Sequence, residues 1–281
     1  MKKIHVITLF LLVIFTSCSS VDAPTINTNS TAATEQKNIS YGSNSKQIFD
    51  IYLPANRNSA TTKTLILIHG GSWTGGNKEE MNEFVSIVKR NLPDYAVVNM
   101  NYRLSTSGNP AFPMQTDDIA SVIAKLKTSD YQISNKIGFI GFSAGGHLSL
   151  LYSYAFNADN NIKMVASIVG PTNFTDSNYL TNGENSLFTQ ILGSTFANNP
   201  AIYRQNSPLF RATSTSPPTL LLYGNADFLV PITQGQDMNA KLNSLGVFNE
   251  FKLYNGGHGT WSAADLLNAE ARLVNFIKTK F

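Results

Sequence analysis

Lys136-Ile137-Gly138-Phe139-Ile140-Gly141-Phe142-Ser143-Ala144-Gly145-Gly146-His147-Leu148 is the most informative stretch of this 281-residue chain. Its first half is a short apolar run, which predicts a buried β-strand. Its second half opens a helix, because apolar residues recur at helical spacing from Leu148 to Ala155. A tight turn joins the two halves, with Ser143 between Gly141 and Gly145. The pattern therefore predicts a strand, a sharp turn and a helix, with one serine at the tip of the turn.

A G-x-S-x-G sequence between a strand and a helix is typical of a nucleophile elbow. Glycines without a Cβ let the two segments approach each other closely, while the serine takes a strained backbone conformation. The N-terminus of the helix favours negative charge nearby, and the backbone N–H of Ala144 directly follows the serine. The same pattern also fits a small-residue turn without chemistry. Ser143 is therefore a candidate nucleophile whose role depends on partners elsewhere in the chain.

The composition indicates one ordinary globular domain, since 42% of the residues are hydrophobic and 14% are charged. The formal net charge is +3, and no basic run with interleaved aromatic residues occurs, which argues against nucleic acid as a partner. The four histidines and the single cysteine lack the spacing of metal ligands. We therefore expect neither a metal nor another cofactor.

The N-terminus has the features of a bacterial export signal. Two lysines precede an apolar run from Ile4 to Phe15, which is too short to span a bilayer. Thr16-Ser17-Cys18 follows and resembles a lipoprotein box. We expect residues 1–17 to be a signal peptide and Cys18 to be lipidated, so that the lipid attaches the protein to a membrane of the cell envelope, on its periplasmic or cell-surface face. A plain signal peptide and an uncleaved anchor are the alternatives.

Residues 18–46 are rich in Ser, Thr, Asn and Ala and predict a flexible tether, followed by a folded domain over residues 47–281. Within the domain, apolar runs alternate with amphipathic helical stretches, which predicts an α/β fold with a mostly parallel central sheet and helices on both faces. Residues 171–218 interrupt the alternation and predict a small cap insertion, with a surface excursion packed on the sheet as the alternative. Besides the strand before Ser143, strands are expected at 48–54, 64–68, 95–100, 164–169, 219–223 and 248–254.

A nucleophilic serine requires a base, and four histidines are available. His5 lies in the predicted signal peptide. His147 lies on the helix after Ser143, so its side chain is tied to the helix body. His69 ends a buried strand before two glycines, where bracing the loop is the better interpretation. His258 remains, in a glycine-rich loop at the carboxyl end of a strand, the edge where ligands and catalytic residues gather in open α/β sheets.

The acid that orients such a base is expected at the same edge of the sheet. Asp227 lies three residues beyond the glycine that ends the strand at 219–223. Asp237 is the nearest competitor, but it falls inside the next helix. Ser143, Asp227 and His258 follow one of the known chain orders of catalytic triads. A turn-forming aspartate and an exposed loop histidine are the alternatives for the last two residues.

His69-Gly70-Gly71-Ser72-Trp73 follows another buried strand. A glycine-rich loop can direct backbone N–H groups at a developing negative charge without obstruction by side chains. Together with the N–H of Ala144, this loop predicts an oxyanion hole beside Ser143.

With these motifs the chain resembles the α/β-hydrolase superfamily, in particular the esterase and lipase group related to hormone-sensitive lipases, feruloyl-esterase-like hydrolases and kynurenine formamidases. The resemblance extends from about residue 48 to the C-terminus and is carried by residues 50–54, 69–73, 101–104, 141–148, 224–231 and 257–259. It implies the α/β-hydrolase fold, with the backbone N–H groups of Gly71 and Ser72 as oxyanion donors. Ser72 departs from the H-G-G-G loop of the lipase-like branch but fits the H-G-G-x-W form. Arg103 and Asp118 match scaffold residues of the family, for which we expect an ion pair.

The resemblance also implies a function. It points to a serine hydrolase that cleaves carboxylic esters through an acyl-enzyme, with short acyl groups on small-molecule or polysaccharide-linked substrates. An arylformamidase, which cleaves an amide, and a catalytically silent binding module on the same scaffold are the alternatives. The motifs are specific for the superfamily and weak for the substrate, and they leave the oligomeric state open.

Overall fold

Eight strands form one sheet in the computed structural model, which describes residues 31–181 and 185–281. The predicted signal peptide and Cys18 lie outside the described residues. The strands are β1 (Thr34–Ser40), β2 (Ile48–Leu53), β3 (Thr64–Ile68), β4 (Ala96–Met100), β5 (Ile137–Phe142), β6 (Ile162–Ile168), β7 (Thr219–Gly224) and β8 (Asn249–Tyr254). Their order in the sheet is β1-β2-β4-β3-β5-β6-β7-β8. Only the pairs β1/β2 and β2/β4 are antiparallel, so the predicted mostly parallel sheet is confirmed.

Helices cover both faces of this sheet, as predicted. They are α1 (Asn82–Asn91), α2 (Met114–Thr128), α3 (Ala144–Ala155), α4 (Ser177–Thr181), α5 (Asn185–Leu192), α6 (Pro200–Gln205), α7 (Pro208–Arg211), α8 (Ile232–Ser244) and α9 (Ala263–Lys280). A 3-10 turn, Lys78–Met81, precedes α1. α1 and α9 pack on one face, whereas α2, α3 and α8 pack on the other. Within the described ranges, no helix is long and apolar enough to cross a membrane.

β3 shows why an uninterrupted apolar run forms an interior strand. Leu65 and Leu67 belong to the core beneath α1 and α9, whereas Ile66 and Ile68 belong to the core beneath α2, α3 and α8. Since side chains alternate between the two faces of a strand, both faces of β3 are buried and apolar.

The tether predicted over residues 18–46 is wrong in its last part. Thr34–Ser40 forms β1, which pairs along β2 from Thr34 opposite Leu53 to Ser40 opposite Ile48. Six of its seven residues are exposed. β1 is an edge strand held by backbone pairing rather than by burial of apolar side chains, so its polar sequence is like that of a linker. The folded domain therefore begins before residue 47.

The segment between β6 and β7, which we expected as a cap at 171–218, contains the four short helices α4 to α7. Several of its large apolar side chains turn inward, and Phe174 and Phe188 are at most 2% exposed. Their ring centroids lie 4.8 Å apart, and those of Phe174 and Trp73 lie 5.4 Å apart. The insertion is therefore packed into the core beside the predicted oxyanion loop. Its function as a cap stays a prediction.

Candidate active site

The turn after β5 has the strained geometry that the glycine spacing predicts. Ser143 has φ 53° and ψ −119°, a left-handed conformation that is costly for a residue with a side chain. A Cβ on Gly141 would lie 2.2 Å from the carbonyl oxygen of Gly145, and a Cβ on Gly145 would lie 2.0 Å from that of Ile68. Both positions therefore require glycine. The N–H of Ser143 donates to the carbonyl of Ile168 at 2.8 Å, which fixes the turn against β6.

The structure brings Ser143, Asp227 and His258 together at the carboxyl edge of the sheet. Nε2 of His258 lies 2.8 Å from Oγ of Ser143, and Nδ1 of His258 lies 2.7 Å from Oδ2 of Asp227. The Asp227 side chain is fully buried, whereas that of His258 is 18% exposed. An ionised carboxylate only accepts hydrogen bonds, so Nδ1 carries the proton and Nε2 is free to accept from the serine hydroxyl.

Asp227 also organises its own loop. Its Oδ1 accepts hydrogen bonds from the backbone N–H groups of Leu229 and Val230, both at 2.9 Å. The turn-forming role considered as an alternative is therefore present in addition to the contact with His258. Asp237 lies within α8, as predicted. The ring of Phe142 packs edge-on against that of His258, with centroids 5.5 Å apart.

The loop after β3 lies against Ser143, since a Cβ built on Gly70 would come within 3.2 Å of Cβ of Ser143. Gly71, Ser72 and Trp73 have φ values of 99°, 51° and 62°. The carbonyl of Gly71 accepts from the N–H groups of the residues three and four positions ahead, at 3.0 and 2.9 Å, so the loop is a closed turn. Among residues 31–181 and 185–281, no group accepts a hydrogen bond from the N–H of Gly71, Ser72 or Ala144. These are the three donors expected from the sequence and the resemblance.

His69 braces this loop, as interpreted from the sequence. Its Nδ1–H donates to the carbonyl of Gly70 at 2.7 Å, and its ring stacks on Tyr102 with centroids 4.2 Å apart. The hydroxyl of Tyr102 donates to the carbonyls of His69 and Gly70 at 3.0 and 2.9 Å. Burial lowers the pKa of His69 to about 4. A neutral imidazole at neutral pH therefore suits this structural position.

Two contacts of Trp73 are not apparent from the sequence. Its indole Nε1 lies 3.3 Å from Nδ1 of His147, and its carbonyl accepts from Nε2 of Gln115 at 2.7 Å. The sequence held one signal for Gln115: it is a polar residue one turn before Ile119, on the face of α2 whose apolar residues predict that it points inward. Neither partner can be identified from local periodicity, because both contacts join positions far apart in the sequence.

The expected ion pair between Arg103 and Asp118 is confirmed. Nη2 of Arg103 lies 2.7 Å from Oδ1 of Asp118, whose side chain is fully buried. The carboxylate also accepts from the backbone N–H of Arg103 at 2.7 Å and from Nε2 of Gln47 at 2.8 Å. The pair therefore fastens the chain after β4 to α2. It makes no contact with Ser143 or His258, which fits a scaffold role.

Within the part of the chain that the structure describes, no group of three or more His, Cys, Asp or Glu side chains could hold a metal ion. The site consists of an alcohol, an imidazole, a carboxylate and three backbone donors. Such a set can attack a carbonyl carbon, transfer one proton and stabilise an oxyanion.

A family model described as BD-FAE matches residues 49–242, more than half of the chain. Esterase LipC from Mycobacterium tuberculosis is 22% identical over 245 residues, which cover 80% of this chain and 59% of that protein. Esterase LipQ from the same organism is 26% identical over 241 residues, which cover 76% of this chain and 54% of that protein. The chain thus spans little more than half the length of these relatives.

Solved structures of similar fold include the bifunctional GH43-CE protein of Bacteroides eggerthii, with a TM-score of 0.73 at 23% identity over 88% of this chain and 38% of that chain. Carboxyl esterase 2 of the fungus Tuber melanosporum has a TM-score of 0.69 at 18% identity over 89% of each chain. At these identities the likeness establishes the fold, which is that of an α/β-hydrolase. The family match and this fold together lead to one conclusion: the chain belongs to the BD-FAE family of α/β-hydrolases.

Proposed function

We propose that the chain is a serine esterase that hydrolyses carboxylic esters through an acyl-enzyme. The observation that carries the proposal is the hydrogen-bonded line from Ser143 through His258 to Asp227, at 2.8 and 2.7 Å. The backbone N–H groups of Gly71, Ser72 and Ala144, for which the described residues supply no acceptor, add to this support. Relatives named as esterases agree with the proposal.

In the proposed first half-reaction, Oγ of Ser143 attacks the carbonyl carbon while its proton passes to Nε2 of His258. Asp227 holds the tautomer in which Nδ1 keeps its proton and stabilises the imidazolium that forms. The carbonyl oxygen becomes an oxyanion and accepts hydrogen bonds from the N–H groups of Gly71, Ser72 and Ala144. Collapse of the tetrahedral intermediate breaks the bond to the alkoxide, which leaves as an alcohol with the proton from Nε2.

In the second half-reaction, a water molecule takes the place of the alcohol. Nε2 of His258 accepts one proton from the water as its oxygen attacks the acyl carbon. The same oxyanion donors act again, and the proton returns to Oγ of Ser143 as the ester bond to the enzyme breaks. A carboxylic acid leaves and the free enzyme is restored.

We propose a short acyl group for the substrate. Trp73, Phe174 and Phe188 are each at most 3% exposed, so aromatic side chains already fill the space behind the oxyanion loop. For the alcohol part we propose a small molecule or a saccharide. One structure of similar fold is titled a truncated form of a carbohydrate esterase from gut microbiota, with a TM-score of 0.66 at 20% identity over 87% of this chain and 98% of that chain.

The test is hydrolysis of a chain-length series of nitrophenyl esters, with an acetylated and a feruloylated sugar and N-formylkynurenine in the same panel. We expect the highest kcat/KM for the short esters. Ser143→Ala should lower kcat by about 10⁶-fold while leaving the fold intact. A preference for N-formylkynurenine would instead favour the arylformamidase. A folded wild-type protein that is not labelled by a fluorophosphonate, or labelling that persists in Ser143→Ala, would favour the silent binding module.

We also propose that the protein is an exported lipoprotein attached to the cell envelope through a lipid on Cys18. The support is the order of two lysines, an apolar run and Thr16-Ser17-Cys18 in the sequence. Metabolic labelling with a palmitate analogue in a bacterial host should mark the wild-type protein. Cys18→Ala should abolish the label. Retention of the label in this variant would refute the assignment of Cys18.

A further inference from the structure

His147 makes two hydrogen bonds that fix its protonation state. Its Nδ1 lies 3.3 Å from Nε1 of Trp73, and its Nε2 lies 2.7 Å from the carbonyl oxygen of Asn206. An indole N–H can only donate and a carbonyl can only accept. The imidazole is therefore neutral, with its proton on Nε2 and with Nδ1 accepting from Trp73. The residue is fully buried, and burial lowers the pKa of His147 to about 3, so this form persists at neutral pH.

Trp73 ends the strained part of the oxyanion loop. It is the last of three consecutive residues with positive φ, and two of them, Ser72 and Trp73, carry a Cβ. Such a conformation costs on the order of 1–3 kcal/mol per residue and persists only where the surroundings hold it. The loop therefore needs anchors next to Gly71 and Ser72, the residues proposed to donate to the oxyanion.

The anchors of Trp73 come from distant parts of the chain. Its carbonyl accepts from the N–H of Ser105 at 2.9 Å and from Nε2 of Gln115 at 2.7 Å, which fix the main chain. Its indole is fixed by the hydrogen bond to His147 and by edge-on packing against Phe174. His147 lies on α3, four residues after Ser143, so the helix that directly follows the nucleophile carries the side-chain anchor of the oxyanion loop.

We propose that His147 is a positioning residue for the oxyanion hole: it accepts the indole N–H of Trp73 and so holds the N–H groups of Gly71 and Ser72 on the substrate carbonyl. The inference rests on the proposed esterase function. His147 exchanges no proton in the reaction, because both of its ring nitrogens are committed to fixed partners. A displacement of about 1 Å at a reacting centre can lower the rate about 10²-fold, and loss of one oxyanion donor costs 10²- to 10³-fold in kcat.

The experiment is a double-mutant cycle on the full chain with a short nitrophenyl ester. Trp73→Phe removes the donor, His147→Phe removes the acceptor, and both keep an aromatic ring. We expect each variant to lose about 10- to 100-fold in kcat with KM within about twofold of wild type. The double variant should lose no more than either single one, because all three lack the same hydrogen bond. His147→Gln, which retains an acceptor and a donor, should recover part of kcat.

A second readout separates positioning from general destabilisation. Phenylboronic acid forms a tetrahedral adduct with the serine and places an oxygen in the oxyanion hole, so its Ki should rise in parallel with the loss of kcat. Tyr154→Phe is the matched control, since it removes a partly buried hydrogen bond, to Thr219 at 2.8 Å, from the same helix. It should lower the melting temperature without changing kcat or this Ki.

The outcomes distinguish the two proposals. If the wild-type protein hydrolyses no ester, the proposed function fails. If it does, and Trp73→Phe and His147→Phe keep kcat within about threefold of wild type, the positioning role is refuted. Additive losses in the double variant would refute it as well. Should His147→Phe fail to fold, Trp73→Phe and His147→Gln still give the comparison of kcat with the boronic acid Ki.

Discussion

Mild acid should destabilise the fold through His147, and the size of the effect follows from its surroundings. In the folded chain burial lowers its pKa to about 3, whereas an unfolded histidine has a pKa of about 6.5. Between these values the unfolded state binds a proton that the folded state excludes. The contribution to stability is therefore fully present above pH 6.5 and is lost as the pH falls towards 3. From pH 7.5 to 5.0 the linkage relation gives a loss of about 2 kcal/mol.

Removing the imidazole should remove this dependence on pH. His147→Gln keeps a donor and an acceptor but does not titrate, so its free energy of unfolding should fall by about 2 kcal/mol less than that of wild type between pH 7.5 and 5.0. Urea unfolding at both pH values, followed by circular dichroism, measures the difference. Tyr154→Phe is the control and should keep the wild-type loss, because it removes a partly buried hydrogen bond but no group that titrates in this range. An equal loss in His147→Gln and wild type would refute the buried neutral imidazole.

Three substitutions test other parts of the structure. Asp227→Asn can keep the two backbone contacts of Oδ1, but its amide N–H₂ then faces Nδ1 of His258 and favours the wrong tautomer. We expect kcat to fall about 10⁴-fold with little change in melting temperature, and a fall under tenfold would contradict the role of the acid. Asp118→Ala leaves the guanidinium of Arg103 without its carboxylate partner and should lower the free energy of unfolding by about 3 kcal/mol in urea titrations. An unchanged midpoint of urea unfolding would show that the pair does not fasten α2. Gly145→Ala places a Cβ 2.0 Å from the carbonyl oxygen of Ile68, so we expect about 3 kcal/mol of destabilisation in urea titrations and loss of fluorophosphonate labelling. A labelled variant of normal stability would contradict the close approach of Gly145 to β3.

Most of the fold was predictable from local sequence patterns, because interior strands and amphipathic helices each have a characteristic hydrophobic pattern. The run at 64–68 is apolar on both faces, and β3 occupies these residues. The edge strand β1 escaped because pairing along β2, and not burial, holds it in place. The short helices between β6 and β7 were not predictable for a related reason: each is too short for a clear period. Contacts such as that of Phe188 in α5 with Phe174 fix them instead.

The candidate site was predictable as far as it depends on strand ends. Parallel strands bring their carboxyl ends to one edge, so the residues after β5, β7 and β8 were expected to meet. The contacts that hold the oxyanion loop of this site in place were less predictable. His147 was predicted to be tied to its helix, which is correct for the backbone, but the imidazole reaches the indole of Trp73, 74 residues away. No local pattern encodes that distance in the chain.

The insertion between β6 and β7 has a consequence for engineering. Through Asn206 and Phe174 it reaches the two residues, His147 and Trp73, that hold the loop after β3. If His147 positions the oxyanion loop as proposed, exchanging this segment between homologous enzymes to alter substrate range should also lower kcat for substrates that the segment does not touch. A chimera that imports a foreign segment should retain the backbone acceptor at 206 and the aromatic ring at 174. A graft of residues 69–73 alone into another scaffold would lack the contacts that hold the backbone N–H groups of this loop in position.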